Sequence, residues 1–382
     1  MDSLPDARIV PVTMPKWGLS MRLGKITGWL VSPGDPVTVG DELADIETEK
    51  ITGTLEAASG GVVRRLVASL GEEVPVGGTI ALIAPAEVSE EELDAAVAAA
   101  RAVIDAGVPV ADGDVSVVET ISVGGRPVRY AGAGDSGDVV LLVHGFGGDR
   151  NSWLFLQEPM AASFRVYAVD LPGHGASGKD VSSGSLDLLD MLADAVTGVL
   201  DAVGADRAHL VGHSMGAAVA LTVAARDPGR IGSLTLIAPA GFGAAINAAF
   251  LRGFSGAQTR RELKPLVGQL FADEQLVTRQ LVEDLLAYKR LDGVAEALHA
   301  LLDRLLDGDA QRVDSAALLG AVGGAVPVTV VWGGADRIIP AAQAASVDGA
   351  DVVVIDGAGH MPHMERPAEV QAAIEQTIAR AG

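Results

Sequence analysis

The sequence predicts a multidomain protein: a small all-β flattened sandwich, followed by a larger domain built on a mostly parallel, doubly wound α/β sheet. Two observations predict this fold class. An internal repeat of short strands fills the first part of the chain, and strands alternate with helices from residue 115 onward. A length of 382 residues, at roughly 100–200 residues per domain, allows two or three domains. The predicted domains are residues 8–85 and 115–382, joined by a linker at 86–114.

Composition excludes several classes of function. The chain has 50 acidic and 28 basic residues, a net charge of −22, so nucleic acid is not an expected partner, because its binding depends on Lys and Arg against phosphates. There is no cysteine, which excludes a thiolate metal site or a cysteine nucleophile, and no metal is expected. The N-terminus lacks the pattern of a secretory signal, and no apolar segment approaches the ~20 residues that span a bilayer. We therefore expect a cytoplasmic protein without membrane association.

A repeat with a constant offset runs through the first domain. Residues 24–40 match residues 61–77, an offset of 61 − 24 = 37. The aligned glycine pairs are Gly24/Gly61, Gly34/Gly71 and Gly40/Gly77. Glycines supply turns in which a positive φ would be costly for other residues, and the alternating apolar residues between them predict strands with one buried face. Because neither copy can bury its face alone, we expect the two to pack as a two-fold sandwich.

Lys50 lies between the two copies, where the strand pattern breaks. The break predicts an exposed hairpin tip, and the neighbouring Glu47 and Glu49 stabilise the charged form of the lysine. A lysine in a turn is ordinarily only solvated. Its position at the pseudo-symmetry point of a duplicated domain makes Lys50 a candidate modification site.

Residues 14–21, the repeat and the acidic residues before Lys50 together resemble a lipoyl domain over about residues 8–85. The resemblance implies that Lys50 carries (R)-lipoate in amide linkage. The related biotinyl domains flank their lysine with methionines, which Glu49 and Ile51 do not match. An unmodified structural domain is the other alternative. A rigid domain with one flexible arm would raise the effective concentration of the carried group at each active site within reach.

The linker is rich in Ala, Glu and Asp. Ser89 and Glu92 fit a capping box, and Leu93 and Ile104 follow at helical spacing, which predicts a single helix. We interpret this helix as a spacer rather than a docking element, because charged and Ala-rich helical faces are commonly solvated.

Continuous apolar runs in the second domain predict strands that are buried on both faces of a parallel sheet. The predicted strands are residues 139–143, 165–169, 208–211, 234–237, 328–332 and 352–355. The helices predicted between and after them are residues 186–203, 215–226 and 368–381. In such a sheet the chemistry collects at the carboxyl ends of the strands.

A candidate nucleophile follows the strand 208–211. Residues 212–216 are Gly-His-Ser-Met-Gly, a G-x-S-x-G pattern that is weak by itself and stronger between a strand and a helix. The sharp turn would expose the hydroxyl of Ser214 at a helix N-terminus, where developing negative charge is favoured. A neutral serine needs a base to act as a nucleophile.

The candidate base is His360, which lies between the last strand and the last helix; His363 is the second choice. The orienting acid should follow another strand, and Asp336 does so directly after residues 328–332. Asp356 is the runner-up, but it lies too close to His360 in the sequence. The residues follow one another along the chain in the order serine, aspartate, histidine. This is the order found in enzymes whose nucleophilic serine lies in a sharp turn between a strand and a helix.

The glycine-rich residues 144–148, His-Gly-Phe-Gly-Gly, follow the first strong strand of this domain. Such glycines let the backbone approach a substrate closely. We assign an oxyanion hole to the backbone amides of Phe146 and Met215. A plain turn is the alternative interpretation.

These motifs together resemble the α/β-hydrolase family over about residues 115–382; they lie at residues 144–148, 170–175, 212–216, 333–336 and 357–360. A helical insertion at about 241–319 resembles the cap of that family. The cap contains nine basic residues: Arg252, Arg260, Arg261, Lys264, Arg279, Lys289, Arg290, Arg304 and Arg312. A surface so enriched in basic residues could bind an anionic cosubstrate such as coenzyme A. The alternative, which is the more common case, is a helical surface whose basic residues are only solvated.

The pairing of a lipoyl domain with a hydrolase fold resembles the acyltransferase family of acetoin dehydrogenase complexes. The His-x-x-x-Asp-Gly motif of the usual lipoyl acyltransferases is absent, since Asp303 after His299 is followed by Arg304. The resemblance implies acetyl transfer from lipoyl-Lys50 to coenzyme A. Its implied partners are a thiamine-diphosphate acetoin-cleaving component and dihydrolipoyl dehydrogenase, in a homo-oligomeric assembly. The alternatives are a lipoyl-tethered esterase or thioesterase, and a carrier or scaffold with a non-catalytic hydrolase domain.

Overall fold

The computed structural model describes residues 9–15, 23–47, 52–105, 117–181 and 187–381. They form two compact units: the first contains the described residues up to 105 together with residues 278–280, and the second contains the other described residues from 117 onward. Within the described residues, no helix is both long enough and apolar enough to cross a bilayer.

The first unit is built mainly from short antiparallel strands. These are β1 (Val10–Thr13), β2 (Leu23–Trp29), β3 (Pro36–Val37), β4 (Glu42–Glu47), β5 (Thr52–Glu56), β6 (Gly61–Leu66), β7 (Glu73–Pro75) and β8 (Thr79–Ile83). They form two four-stranded sheets with the orders β1-β8-β6-β3 and β5-β4-β2-β7. Strands β4 and β5 pair Glu47 with Thr52.

The two-fold architecture predicted from the repeat is confirmed. The equivalent strands β2 and β6 take the same place in opposite sheets, and so do β4 and β8. Two of the glycine pairs mark turns in both copies, with positive φ at Gly34, Gly40, Gly71 and Gly77. The third pair does not, since Gly24 lies inside β2 opposite Val74. Apolar residues from both copies share the core, among them Ile26, Ile46, Val74 and Ile80.

The predicted linker helix is α1 (Glu90–Asp105), and the spacer interpretation is wrong for these residues. The capping box forms as predicted, with the Ser89 amide donating to Glu92 Oε2 at 2.8 Å. However, Leu93 and Ile104 are buried in the core of the β-sandwich. Arg101 also donates to Glu72 at 2.7 Å. The helix belongs to the first unit because its apolar face is covered by the sheet instead of by water.

The second unit contains a single eight-stranded sheet. Its strands are β9 (Val117–Val123), β10 (Arg126–Ala133), β11 (Val139–Val143), β12 (Arg165–Asp170), β13 (Ala208–His213), β14 (Ile231–Ile237), β17 (Val328–Gly333) and β18 (Asp351–Ile355). The short strands β15 (Leu306–Asp307) and β16 (Ala310–Gln311) form a separate hairpin. The sheet order is β18-β17-β14-β13-β11-β12-β10-β9, parallel from β18 to β12 and antiparallel beyond.

Helices cover both faces of this sheet, which confirms the doubly wound prediction. The helices of the second unit are α2 (Leu154–Ala161), α3 (Leu188–Ala202), α4 (Met215–Arg226), α5 (Ala248–Gly256), α6 (Arg260–Val267), α7 (Arg279–Lys289), α8 (Val294–Leu305), α9 (Ser315–Val322), α10 (Pro362–Glu365) and α11 (Pro367–Ala379). Helices α2 and α11 pack on one face, while α3 and α4 pack on the other.

Two features differ from the sequence-based expectation. Strand β18 is the edge of the sheet, and its Val352, Val353 and Val354 are 40%, 39% and 48% exposed instead of buried. The predicted end of the cap at residue 319 falls inside α9, which packs against α4. The helical insertion therefore consists of α5 to α8 with the β15–β16 hairpin.

Candidate active site

Ser214 lies in the sharp turn between β13 and α4. Its backbone has φ 54° and ψ −117°, a conformation that is costly for a residue with a side chain and persists only where the surroundings impose it. The glycines on both sides allow this turn. A Cβ atom at Gly212 would overlap the backbone of Gly216, and one at Gly216 would overlap the carbonyl oxygen of Val143. Tight packing of α4 on the sheet therefore explains the G-x-S-x-G spacing.

Asp336 and His360 form a buried pair after strands β17 and β18. His360 Nδ1 lies 2.8 Å from Asp336 Oδ2, and the side chains are 4% and 0% exposed. Because the carboxylate accepts this hydrogen bond, Nδ1 carries the proton and Nε2 is free to accept one. The other carboxylate oxygen, Oδ1, accepts from the amides of Ile338 at 2.8 Å and Ile339 at 2.9 Å. Both oxygens are thus fixed by donors.

The backbone of His360 is held on both sides. Its amide donates to the carbonyl oxygen of Leu270 at 2.8 Å, and its own carbonyl oxygen accepts from His213 Nε2 at 2.8 Å. Burial lowers the pKa of His213 well below the usual range, so its ring is neutral. Since His213 directly precedes Ser214, this hydrogen bond ties the nucleophile turn to the loop of the candidate base.

Glu365 is a second support that the sequence did not reveal. Its carboxylate accepts from the Gly359 amide at 2.6 Å through Oε1 and from the Ala272 amide at 2.8 Å through Oε2. Burial raises the pKa of Glu365, while both amides favour its charged form. The carboxylate joins the residue before His360 to the segment that follows α6. Nothing in the sequence distinguishes Glu365 from other helical glutamates.

The glycine-rich loop after β11 lies against the nucleophile turn. A Cβ atom at Gly145 would be 2.9 Å from Ser214 Cβ. Phe146 follows in this loop, with its ring edge-on to Phe254 at 6.4 Å between centroids. Met215 is the first residue of α4, so its amide is one of the N-terminal donors that have no acceptor within the helix. The oxyanion assignment to Phe146 and Met215 stays a prediction.

His144 anchors the same loop. Its Nδ1 donates to the carbonyl oxygen of Gly145 at 2.8 Å, and its Nε2 accepts from the Leu171 amide at 3.0 Å. Burial lowers the pKa of His144, in agreement with a neutral ring that donates and accepts once. The geometry of the loop that lies against the nucleophile turn thus depends on a buried, uncharged imidazole.

The alternative acid and base lie elsewhere. His363 is buried in α10, with its ring 4.7 Å from Trp153 and 4.6 Å from His213 between centroids. Burial lowers the pKa of His363 to about 3. Asp356 is exposed, beyond the end of β18. The residue pair brought together is therefore Asp336 and His360.

Two further histidines make hydrogen bonds within the second unit, away from the candidate active site. His209 lies in β13, and its Nδ1 is 2.8 Å from the Ser233 hydroxyl. His299 lies on α8 and contacts the carbonyl oxygen of Ala295 at 2.6 Å. Lys50 lies outside the described residues, which resume at Thr52 after Glu47.

Family comparisons agree with this geometry. A family model described as alpha/beta hydrolase fold matches residues 138–367, and the biotin/lipoyl model, described as biotin-requiring enzyme, matches residues 10–83. The chain therefore belongs to the α/β-hydrolase fold family, with a biotin/lipoyl-type domain ahead of the hydrolase domain.

Two relatives extend this match over nearly the whole chain. The relative from Pseudomonas putida is 47% identical over 367 residues, 95% of this chain and 97% of its own. The relative from Cupriavidus necator is 45% identical over 372 residues, 97% of both chains. Both are named dihydrolipoyllysine-residue acetyltransferase component of acetoin cleaving system. The chain belongs to this family, and the resemblance inferred from its sequence is confirmed.

Solved structures support the fold of the second unit. A meta-cleavage product hydrolase from Pseudomonas fluorescens has a TM-score of 0.61 at 19% identity, covering 69% of this chain and 98% of its own. A 2-hydroxy-6-oxo-6-phenylhexa-2,4-dienoate hydrolase from Rhodococcus has a TM-score of 0.59 at 23% identity, covering 69% and 100%. At such identities the likeness concerns the fold alone.

Proposed function

We propose that this chain transfers an acetyl group from a lipoyl thiol on Lys50 to coenzyme A, with Ser214 as the nucleophile. The observation that carries the proposal is the buried 2.8 Å contact between Asp336 and His360. The backbone of His360 is in turn hydrogen-bonded by His213, the residue directly before Ser214. The names of the two full-length relatives support an acetyltransferase that acts on lipoyl-lysine.

In the first half of the reaction, Ser214 Oγ attacks the carbonyl carbon of the incoming thioester. His360 Nε2 accepts the hydroxyl proton, and Asp336 stabilises the resulting imidazolium. The amides of Phe146 and Met215 and the N-terminus of α4 would stabilise the charge on the carbonyl oxygen. The carbon–sulfur bond then breaks, His360 returns the proton to the departing sulfur, and the acetyl group remains as an ester on Ser214.

In the second half, His360 accepts the thiol proton of coenzyme A. The sulfur attacks the ester on Ser214, the carbon–oxygen bond breaks, and His360 returns the proton to Ser214 Oγ. One thioester replaces another, so the reaction needs no oxidant and is nearly balanced in free energy. The enzyme must therefore contribute orientation and the exclusion of water.

Lys50 is the proposed attachment point for the acyl carrier. Lipoate in amide linkage there would supply the thiol that brings the acetyl group. In the sequence Lys50 stands between Glu47 and Thr52, two residues that pair across β4 and β5, and its amine is the group that an amide linkage requires. We propose a thiamine-diphosphate acetoin-cleaving component and dihydrolipoyl dehydrogenase as the partners that acetylate and reoxidise this thiol, in a cytoplasmic complex with several copies of this chain.

Ser214→Ala should lower coenzyme A-dependent acetyl transfer by at least about 10⁴-fold, since the nucleophile acts as a unit with its base. The assay is acetyl-coenzyme A formation from S-acetyldihydrolipoamide, with the exposed Ser346→Ala as a matched control. Unchanged transfer in Ser214→Ala would refute the covalent route and favour the scaffold alternative. Rapid acetate release by the wild type without coenzyme A would favour the thioesterase alternative.

Glu365→Gln should lower kcat about tenfold and leave the KM for coenzyme A within about twofold, because a hydrogen bond to a charged group is lost. An amide has only one oxygen, whereas the amides of Gly359 and Ala272 both need an acceptor. The loop that carries His360 would shift without loss of the substrate site. Glu369→Gln on the exposed face of α11 is the control. An unchanged kcat, or a fall that only follows the loss of folded protein, would contradict the positioning role.

A further inference from the structure

A recess of about 640 Å³ opens on the cap beside α6. Three of its lining residues are the cations Arg260, Arg261 and Lys264, which all project from that helix. Pro265 and Val277 give it an apolar part. The sequence alone does not reveal this combination of positive charge and apolar surface, because the basic residues of the cap are spread over the whole insertion.

The recess carries uncompensated positive charge. None of the three cations forms an ion pair with any residue that the structure describes. The carboxylate at the recess, Glu274, is already paired with Arg337 at 2.9 Å. In a chain with a net charge of −22, three such cations in one place attract an anion.

Helix stability does not account for the two arginines. Arg260 and Arg261 stand in the first turn of α6, where the helix dipole disfavours positive charge. The N-terminus is capped instead by Thr259 and Glu262, whose side chains bond reciprocally to backbone amides. The two arginines are therefore better explained by a ligand than by the helix that carries them.

Other basic residues of the cap are engaged within the protein. Lys289 is buried, with its ammonium 3.0 Å from the carbonyl oxygen of Ser255, and burial lowers its pKa to about 8. Arg252 pairs with Asp309 at 2.6 Å. Arg312 donates to the carbonyl oxygen of Leu306 at 2.5 Å. The three cations of α6 thus differ from these three basic residues of the insertion, whose charged groups already have partners within the protein.

We propose that this recess binds the phosphorylated adenosine end of coenzyme A, an inference that rests on the proposed acetyl transfer and names where its cosubstrate is held. Arginines and a lysine match the phosphate groups, because they donate charge-assisted hydrogen bonds. The apolar surface of Pro265 and Val277 matches the adenine ring. A simple inorganic anion has no apolar surface that could pack against Pro265 and Val277.

The recess is joined to the candidate active site by one short segment, residues 268–271. Gly268 lines the recess, and its carbonyl oxygen accepts from the guanidinium of Arg337 at 2.6 Å. Arg337 directly follows Asp336. Two residues further on, the carbonyl oxygen of Leu270 accepts from the His360 amide at 2.8 Å. Hydrogen bonds to this segment thus connect the recess with Arg337, the neighbour of Asp336, and with His360.

The test uses the holoenzyme with S-acetyldihydrolipoamide as donor and compares three acceptors: coenzyme A, dephospho-coenzyme A and pantetheine. In the double variant Arg260→Ala/Arg261→Ala, the KM for coenzyme A should rise about tenfold or more, because charge-assisted phosphate contacts are lost. The KM for pantetheine, which lacks the nucleotide, and kcat should stay within twofold. Lys264→Ala should act in the same direction. Arg290→Ala, an exposed cap arginine outside the recess lining, is the matched control.

Calorimetric binding of coenzyme A to the wild type and the double variant separates this inference from the proposed reaction. If the double variant binds coenzyme A more weakly than the wild type does, the recess assignment is supported even if neither protein transfers acetyl groups. Equal binding in the two proteins, or equal KM increases for coenzyme A and pantetheine, would overturn the recess assignment while the wild type still transfers acetyl groups. The recess assignment would also be overturned if the double variant lost binding to an acidic partner protein but bound coenzyme A as the wild type does.

Discussion

Asp336→Asn should lower acetyl transfer about 10⁴-fold while the protein stays folded. The amides of Ile338 and Ile339 both donate to Oδ1, so the oxygen of the new amide group must stay on their side. Its NH₂ group is then turned toward His360 Nδ1. That nitrogen must accept, the imidazole proton moves to Nε2, and the lone pair that Ser214 needs is lost.

The measurement is kcat/KM for acetyl-coenzyme A formation, together with the thermal midpoint of each protein. Asp356→Asn is the matched control, because Asp356 is exposed and lies in the same part of the chain. A rate of Asp336→Asn within tenfold of the wild type would show that Asp336 does not orient the base. So would an equal loss in the Asp356 variant.

Lys50→Arg should stop the acetoin-dependent formation of acetyl-coenzyme A in the assembled complex, by about 10³-fold or more, because the reaction loses the effective concentration that a tethered group provides. A guanidinium keeps the charge but cannot take the amide-linked group. Transfer from free S-acetyldihydrolipoamide should stay within twofold of the wild type, since Ser214, Asp336 and His360 are unchanged. The variant thereby separates delivery of the acetyl group from its chemistry.

Intact-mass measurement of protein from lipoate-competent cells accompanies this assay. Lys25→Arg is the control, since Lys25 is an exposed lysine of β2 in the same domain. A wild-type mass without lipoate, or undiminished flux in Lys50→Arg, would contradict the tethered carrier. A mass increase that corresponds to biotin would establish the biotinyl alternative.

The strands and the nucleophile turn were accessible from the sequence because their signals are local. Turn glycines at a constant offset predicted the two-sheet sandwich, and continuous apolar runs predicted β11 and β13 within two residues. The order of strands and helices also predicted which strand ends Asp336 and His360 would follow. The spacer interpretation of α1 failed because periodicity shows that a helix has an apolar face but not what covers that face.

The sequence by itself determined the two-domain architecture, the family and the residues proposed for the chemistry. Only the tertiary structure decided how that chemistry is supported. His213 binds a carbonyl group 147 positions away, Glu365 joins amides at Gly359 and Ala272, and Arg337 neutralises Glu274 beside the cap recess. Local patterns report backbone preference and the side that is buried. Hydrogen bonds and ion pairs between distant residues depend on how the chain returns on itself, which only the folded chain fixes.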